Sequence, residues 1–119
     1  MLTTNFQIDG PIMAYYRTRN RGSKFGNPRA KRYDEYKRLV RLIANTAGVP
    51  QELLENHRAS VSVWITWRLK ARADTDSILK AIIDALWRQD RRVHEVYAVA
   101  MDQTKMPERA SVVVKLFKA

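Results

Sequence analysis

Residues 60–86 read SVSVWITWRLKARADTDSILKAIIDAL, and the spacing of apolar side chains changes period within this stretch. Over residues 60–70 apolar and polar residues alternate, which puts five apolar side chains on one face: Val61, Val63, Ile65, Trp67 and Leu69. A period of two predicts a strand whose apolar face covers the core. From Thr75 to Arg88 the apolar residues recur every three or four positions, which predicts an amphipathic helix capped by Asp74 or Thr75.

The rest of the chain adds elements on both sides of this pair. Helical spacing predicts a second helix over residues 31–47, ended by Gly48 and Pro50, and a short turn over 51–55. Further strands are predicted over residues 93–101 and 110–117, and a hairpin over residues 3–9 and 12–16. This order predicts a single α+β domain over residues 1–119, in which two main helices pack on a mixed sheet of four to five strands.

Composition narrows the class of protein. The 119 residues suit one domain, and 22 Lys and Arg against 12 Asp and Glu give a net charge of +10. Such a charge favours polyanionic partners. Cysteine is absent, which excludes disulfides, thiolate catalysis and cysteine zinc sites. We expect a cytoplasmic protein, because the sequence shows no secretory signal and no apolar run of about 20 residues.

The positive charge is concentrated in one segment. Between Arg17 and Arg41 ten cations face two acids, so this segment holds eight of the ten net charges. Residues 17–30 contain little that is apolar and predict a mobile basic loop. A solvated surface is the ordinary interpretation, but this concentration favours phosphate binding. The predicted phosphate-binding residues are Arg17, Arg19, Arg21, Lys24, Arg29, Lys31, Arg32 and Arg38.

Acidic residues gather around the helix predicted over residues 75–88. Asp74 and Asp76 lie at its start, Lys80 and Asp84 follow Asp76 at steps of four, and Asp90 lies just beyond its end. Steps of four put Asp76, Lys80 and Asp84 on one helix face. On spacing alone, capping and surface ion pairing are the commoner explanation. The other interpretation is a divalent-metal site with a lysine that stabilises charge on a phosphoryl group.

The run from Asp74 to Leu86, followed by Asp90, Arg91, Arg92 and Val93, resembles the active-site signature of RusA-type Holliday junction resolvases. That signature is Asp-x-Asp-Asn-x-x-Lys-x-x-x-Asp-x-Leu, a short loop and Asp-Asp-x-x-Val. The N-terminal half is similar as well, with a strand ending in Gly-Pro, an Arg-x-Arg loop at 17–19 and a helix over 33–47. The chain departs from the pattern at Ser77, which replaces Asn, at Gln89, which replaces the first Asp of the pair, and at Ala14, near where Lys or Asn is common. The loop between Leu86 and Asp90 is also short.

The resemblance implies a RusA-like fold and a Mg²⁺-dependent endodeoxyribonuclease that resolves four-way DNA junctions by phosphodiester hydrolysis, in recombination and repair. It implies that Asp74, Asp76 and Asp90 hold Mg²⁺, for which Mn²⁺ can substitute, and that Lys80 is catalytic. Asp84 matches an accessory acid of the family. A homodimer is implied too, because paired nicks need two sites and the chain has one acidic constellation.

Two alternatives stay open at this point. The chain could be a basic DNA-binding protein without catalysis, in which the acids only cap a helix and form surface pairs. It could also be a nuclease with a looser choice of branched DNA. Trp64 shares its strand face with Ser62 and Thr66, so it either packs under a helix or marks a subunit contact.

Overall fold

The computed structural model describes residues 2–10, 12–16, 28–67, 75–88, 90–102 and 108–118. It has four strands, three helices and one 3₁₀ turn among them. In chain order these are β1 (Leu2–Asp9), α1 (Pro28–Thr46), α2 (Gln51–Glu55), β2 (His57–Trp67), α3 (Thr75–Leu86), the 3₁₀ turn (Asp90–Arg92), β3 (Val93–Asp102) and β4 (Arg109–Lys118). The structure thus confirms an α+β domain with two main helices.

The four strands form one mixed sheet in the order β1-β4-β2-β3. β4 pairs antiparallel with both β1 and β2, whereas β2 and β3 are parallel. Parallel neighbours need a crossover connection, and α3 lies in the connection between β2 and β3. α3 therefore begins after the C-terminal end of β2, and the chain leaves it to reach the N-terminal end of β3.

The strand periods decide which sheet face is buried. Val61, Val63 and Ile65 of β2 are fully buried, as predicted, and they lie with the alternate residues Ala110, Val112, Val114 and Leu116 of β4. The helices cover this face with the apolar stripes of α1 and α3. The Nε group of Arg41 adds a tie between the two helices by donating to the Ala85 carbonyl oxygen at 2.9 Å.

The opposite sheet face has no helix against it among the described residues. Trp64 lies there, 38% exposed, with its ring centroid 6.0 Å from that of Tyr97 on β3. Trp64 thus packs against Tyr97 of the neighbouring strand, and no helix of the described ranges covers it. Within the described part of the chain, no helix is long and apolar enough to cross a membrane.

Two sequence predictions need correction. The hairpin over residues 3–16 is wrong, because β1 pairs with β4 and residues 12–16 form no strand. The Tyr15 amide donates instead to the Ser77 carbonyl oxygen on α3 at 3.0 Å, and the segment packs on the core. The loop predicted over residues 17–30 is wrong at its end, since Pro28 begins α1 and Ala30 is buried. Proline suits the first helical position. Residues 17–27 lie outside the described residues.

Candidate functional site

The exposed face of α3 carries the polar residues that the sequence singled out. Apolar residues along the other side of α3 bury it against the sheet, from Ile78 to Leu86. Asp76 and Lys80 are exposed and Asp84 is half-buried, so the three share the solvent side of the helix. The predicted common face is therefore confirmed.

Lys80 has a fixed position on this face. Its Nζ lies 4.4 Å from the ring centroid of Tyr15, within the range of a cation–π contact. Tyr15 is itself held, because its amide donates to Ser77 of α3 and its ring packs edge-on against the Tyr33 ring, with centroids 6.0 Å apart. The ammonium group consequently sits over a restrained ring at the protein surface.

Lys80 separates two open clefts along α3. The first has a volume of about 230 Å³ and is lined by Asp76, Leu79, Lys80, Ile83, Val93 and Val96. The second has a volume of about 190 Å³ and is lined by Tyr15, Lys80, Ile83, Asp84, Trp87 and Arg88. The first cleft presents one carboxylate and one ammonium group to solvent on a mostly apolar floor.

Asp84 faces α1 as well as the second cleft. Its Oδ2 accepts a hydrogen bond of 2.8 Å from the Tyr33 hydroxyl and lies 3.4 Å from Lys37 Nζ. Burial, followed by the hydrogen bond to Asp84, raises the pKa of Tyr33. Lys37 also lies 3.9 Å from Asp34 one turn earlier on α1. The accessory acid of the resemblance thus joins α1 to α3 in this structure.

A chain of aromatic rings joins Lys80 to the start of α1. The Tyr33 ring contacts Tyr15 on one side and Tyr16 on the other, with centroids 6.4 Å apart for the second pair. The Arg29 guanidinium lies 5.1 Å from the Tyr16 ring centroid. The first turn of α1 therefore lies beside the exposed face of α3.

The predicted phosphate-binding residues divide into two groups. Arg29, Lys31, Arg32 and Arg38 belong to α1, and all four are exposed. Arg17, Arg19, Arg21 and Lys24 lie outside the described residues. The described cations thus make the exposed side of α1 basic, and Arg29 is linked to Lys80 through the rings of Tyr16, Tyr33 and Tyr15.

The three predicted metal ligands are described unequally. Asp76 is described in full, Asp74 lies outside the described residues, and only the backbone of Asp90 is described, where it begins the 3₁₀ turn. Among the described side chains, no three Asp, Glu or His residues cluster as a metal site would require. The exposed carboxylate of Asp76, in an open cleft beside Lys80, is chemically suited to Mg²⁺ and its phosphate ligand.

The separation of Asp76 and Asp90 along the chain limits how the two carboxylates can bind one metal ion. The 12 residues of α3 rise about 18 Å along the helix axis, with Asp76 in the first turn. At the far end Trp87 Nε1 donates to the Leu54 carbonyl oxygen at 3.1 Å, and the Arg88 amide donates to Glu55 at 2.7 Å. These bonds hold residues 87 and 88 beside α2. A metal shared within one chain thus requires the Asp90 carboxylate to reach back along α3.

The structure also brings together residues that sequence reasoning missed. Tyr15, the partner of Lys80, was not among the residues that the sequence singled out. Arg58, Arg91, Arg92 and His94 line a separate open cavity of about 550 Å³. The pair Arg91-Arg92 is visible in the sequence, but only the parallel pairing of β2 with β3 brings Arg58 to His94.

No protein-family model matches this sequence, and no curated protein matches it either.

Proposed function

We propose that this protein is a Mg²⁺-dependent, structure-selective endodeoxyribonuclease that resolves four-way DNA junctions by hydrolysing phosphodiester bonds. The observation that carries the proposal is the placement of Asp76 and Lys80 in one open cleft, in a protein whose α1 exposes four further cations. The choice of four-way DNA comes from the resemblance to RusA-type resolvases. A cytoplasmic, nucleoid-associated location follows from such a substrate.

Each group has a distinct task in this proposal. Asp74 and Asp76 would hold Mg²⁺ at the start of α3, and Asp90, the third ligand that the resemblance implies, would join them only by reaching back along the helix. When bound, Mg²⁺ supplies Lewis-acid activation of water and of the scissile phosphate. Lys80 offsets the negative charge that grows on the phosphoryl oxygens, from the position fixed by Tyr15. The arginines and lysines of α1 hold neighbouring phosphates and orient the duplex arms.

The experiment that tests the proposal incubates the protein with labelled four-way, flap and linear duplex DNA, with and without Mg²⁺. Asp76→Asn should lower single-turnover cleavage of the four-way junction by more than about 100-fold. Loss of a residue that only supports a metal ligand costs up to about 100-fold, and loss of a direct ligand should cost more. Binding should survive, because the substitution removes a negative charge near the phosphates. Glu52→Gln, on the exposed side of α2, is the matched carboxylate control and should cleave normally.

The same panel separates the alternatives. Binding of all three DNAs without any Mg²⁺-dependent nick would identify a non-catalytic DNA-binding protein. Equal cleavage of flap and four-way DNA would identify a nuclease with looser specificity. Near wild-type nicking by Asp76→Asn would remove this carboxylate from the metal site.

Lys80→Ala tests the role proposed for the lysine of the cleft. As a surface lysine it contributes only a few tenths of a kcal/mol to a helix pair, so folding should persist. As a catalytic group its loss should slow the single-turnover rate by about 100-fold or more, as for removal of one preorganised donor. The rate is measured at saturating protein and Mg²⁺, and equality with wild type would return Lys80 to a structural role.

We also propose that the active form is a two-fold homodimer. A four-way junction is resolved by paired nicks in opposed strands, and closed two-fold symmetry supplies two identical, oppositely directed sites. Hybrids of wild-type and Asp76→Asn subunits should nick one strand without completing resolution. A light-scattering mass of one chain, both free and on the junction, would contradict the dimer.

A further inference from the structure

A second basic surface lies apart from α1 and from the clefts of α3. Its lining residues come from three elements: Arg58 of β2, Arg91 and Arg92 of the 3₁₀ turn, and His94 of β3. Arg58, Arg91 and His94 are exposed, and Arg92 is half-buried. We call this set the β3-entry cluster. Every one of its side chains offers nitrogen donors to the cavity, and none is acidic.

One contact inside the β3-entry cluster fixes its geometry. Arg58 Nε donates a hydrogen bond of 3.0 Å to His94 Nε2, which orients the guanidinium plane and leaves its terminal nitrogens free of this bond. The pairing of β2 with β3 shifts register between Ala59 and Ser60, directly after Arg58. Such irregularities re-aim side chains at strand ends. The bond therefore holds Arg58 toward the cavity.

The charge of the β3-entry cluster is not neutralised by the described carboxylates. No ion pair joins Arg58, Arg91 or Arg92 to a described acid, in contrast to Arg109, whose Nε lies 2.9 Å from Asp9. The acid next in sequence, Glu95, accepts a hydrogen bond of 3.2 Å from Ser60 instead. Three guanidinium groups on one concavity form a set of planar donors that matches phosphate oxygens.

The position of the cluster relates it to the proposed cleavage site. Val93 follows Arg92 directly and lines the cleft that contains Asp76 and Lys80. The 3₁₀ turn therefore connects the cleft to the cluster through consecutive residues, while Arg58 lies on the sheet face of Ser62 and Trp64, opposite the face that α3 covers.

We propose that the β3-entry cluster is a second phosphate-binding site, which holds the backbone of a duplex DNA arm at the β3 edge of the sheet. The inference rests on the proposed function, because it takes DNA as the ligand. The site adds a phosphate footprint apart from the one on α1.

The test is equilibrium binding of a labelled four-way junction in EDTA, where no cleavage occurs, over a series of KCl concentrations. Each duplex phosphate contact contributes about 0.9 to the slope of log K against log salt. Arg58→Gln with Arg92→Gln should therefore reduce the slope by up to about two units. Arg109→Gln is the control. It removes one positive charge at the other end of β4, as each substitution in the cluster does, and should leave the slope unchanged.

Each outcome bears on one proposal or on both. Slopes of the double variant and of Arg91→Gln that equal wild type would overturn the second phosphate site alone. Far-ultraviolet circular dichroism of each variant shows whether a loss of DNA binding comes from unfolding. Arg58→Lys keeps the positive charge but lacks the planar guanidinium group, so its affinity should lie between those of the wild type and the double variant. Wild-type binding without Mg²⁺-dependent cleavage would overturn the nuclease and leave this site supported. Failure of the wild type to bind junction DNA would overturn both.

Discussion

Two buried tyrosines on α1 differ in what their hydroxyl groups contact. The Tyr33 hydroxyl donates to Asp84. The buried Tyr36 hydroxyl makes no hydrogen bond of good geometry to the described residues. Burial raises its pKa, and among these residues only the Met13 backbone lies near enough to lower it against that larger effect. Tyr33→Phe should reduce the free energy of unfolding by about 1.5 kcal/mol, because a hydrogen bond to a charged group is lost. Tyr36→Phe should be neutral or stabilising, because it removes only an unpaired buried polar atom.

Urea denaturation of both variants measures this difference, and each variant is the other's control for loss of one hydroxyl. Equal destabilisation by the two substitutions would show that the Asp84 contact contributes nothing. A gain of stability in Tyr33→Phe would contradict the tie between α1 and α3 directly.

At the scale of single residues, sequence spacing could predict which side chains share a helix face, but not which residues of other elements they contact. Steps of four along one helix were enough to place Asp76, Lys80 and Asp84 together, because helix geometry fixes that relation. The contact of Asp84 with Tyr33 spans 51 positions in sequence, so no local period contains it. The ring of Tyr15 beneath Lys80 could not be predicted either, since it depends on how residues 12–16 cross α3.

Among the elements, α1 ends with a glycine whose backbone conformation the turn requires. Gly48 has φ of +98°, and the next residue, Val49, donates its amide to the Ala44 carbonyl oxygen at 3.0 Å. A Cβ at Gly48 would meet no atom within 4 Å, so any cost of substitution is conformational. Gly48→Ala should reduce the free energy of unfolding by about 1–2 kcal/mol. Gly48→Asn should cost less, since asparagine tolerates positive φ.

Thermal or urea unfolding of these two variants checks the prediction. The order wild type, Asn, Ala in decreasing stability is expected. An alanine variant as stable as wild type would mean that the end of α1 relaxes to another conformation.

The elements themselves were largely predictable, and the exception has a physical cause. The stripes of α1 and α3 and the alternation of β2 follow from burying one side of each element, so the sequence pattern was sufficient. Residues 12–16 carry a strand-like apolar pattern after a Gly-Pro turn. They pack on the core as an irregular segment because their backbone bonds go to α3 and to Glu108, whose carboxylate accepts from the Ile12 amide at 3.2 Å.

For the whole molecule, the architecture was predictable and the neighbour relations were not. Alternating helix and strand patterns indicate a helix layer on a mixed sheet, and that is confirmed. The order β1-β4-β2-β3 places the last strand in the middle, which depends on long-range pairing. The β3-entry cluster is a product of the same pairing, since the parallel register of β2 and β3 brings its members together.

The stability of the whole domain should fall steeply in alkali because of the buried tyrosines. Burial raises the pKa of Tyr36 to about 12, and burial with the Asp84 hydrogen bond raises that of Tyr33 as well. Above pH 10 the unfolded chain releases these protons while the folded protein keeps them, so rising pH favours unfolding. Each tyrosine should lower the free energy of unfolding by about 1.4 kcal/mol per pH unit, from pH 10 upward.

Below pH 9 neither tyrosine should contribute to the pH dependence, because both states are then protonated. Urea denaturation at intervals between pH 8 and pH 12 measures the slope. The control is the double variant Tyr33→Phe with Tyr36→Phe, which retains every other ionisable side chain. The part of the alkaline slope that disappears in the double variant belongs to the two hydroxyl groups. An identical slope in wild type and double variant would mean that both tyrosines ionise as readily in the folded protein as in the unfolded chain.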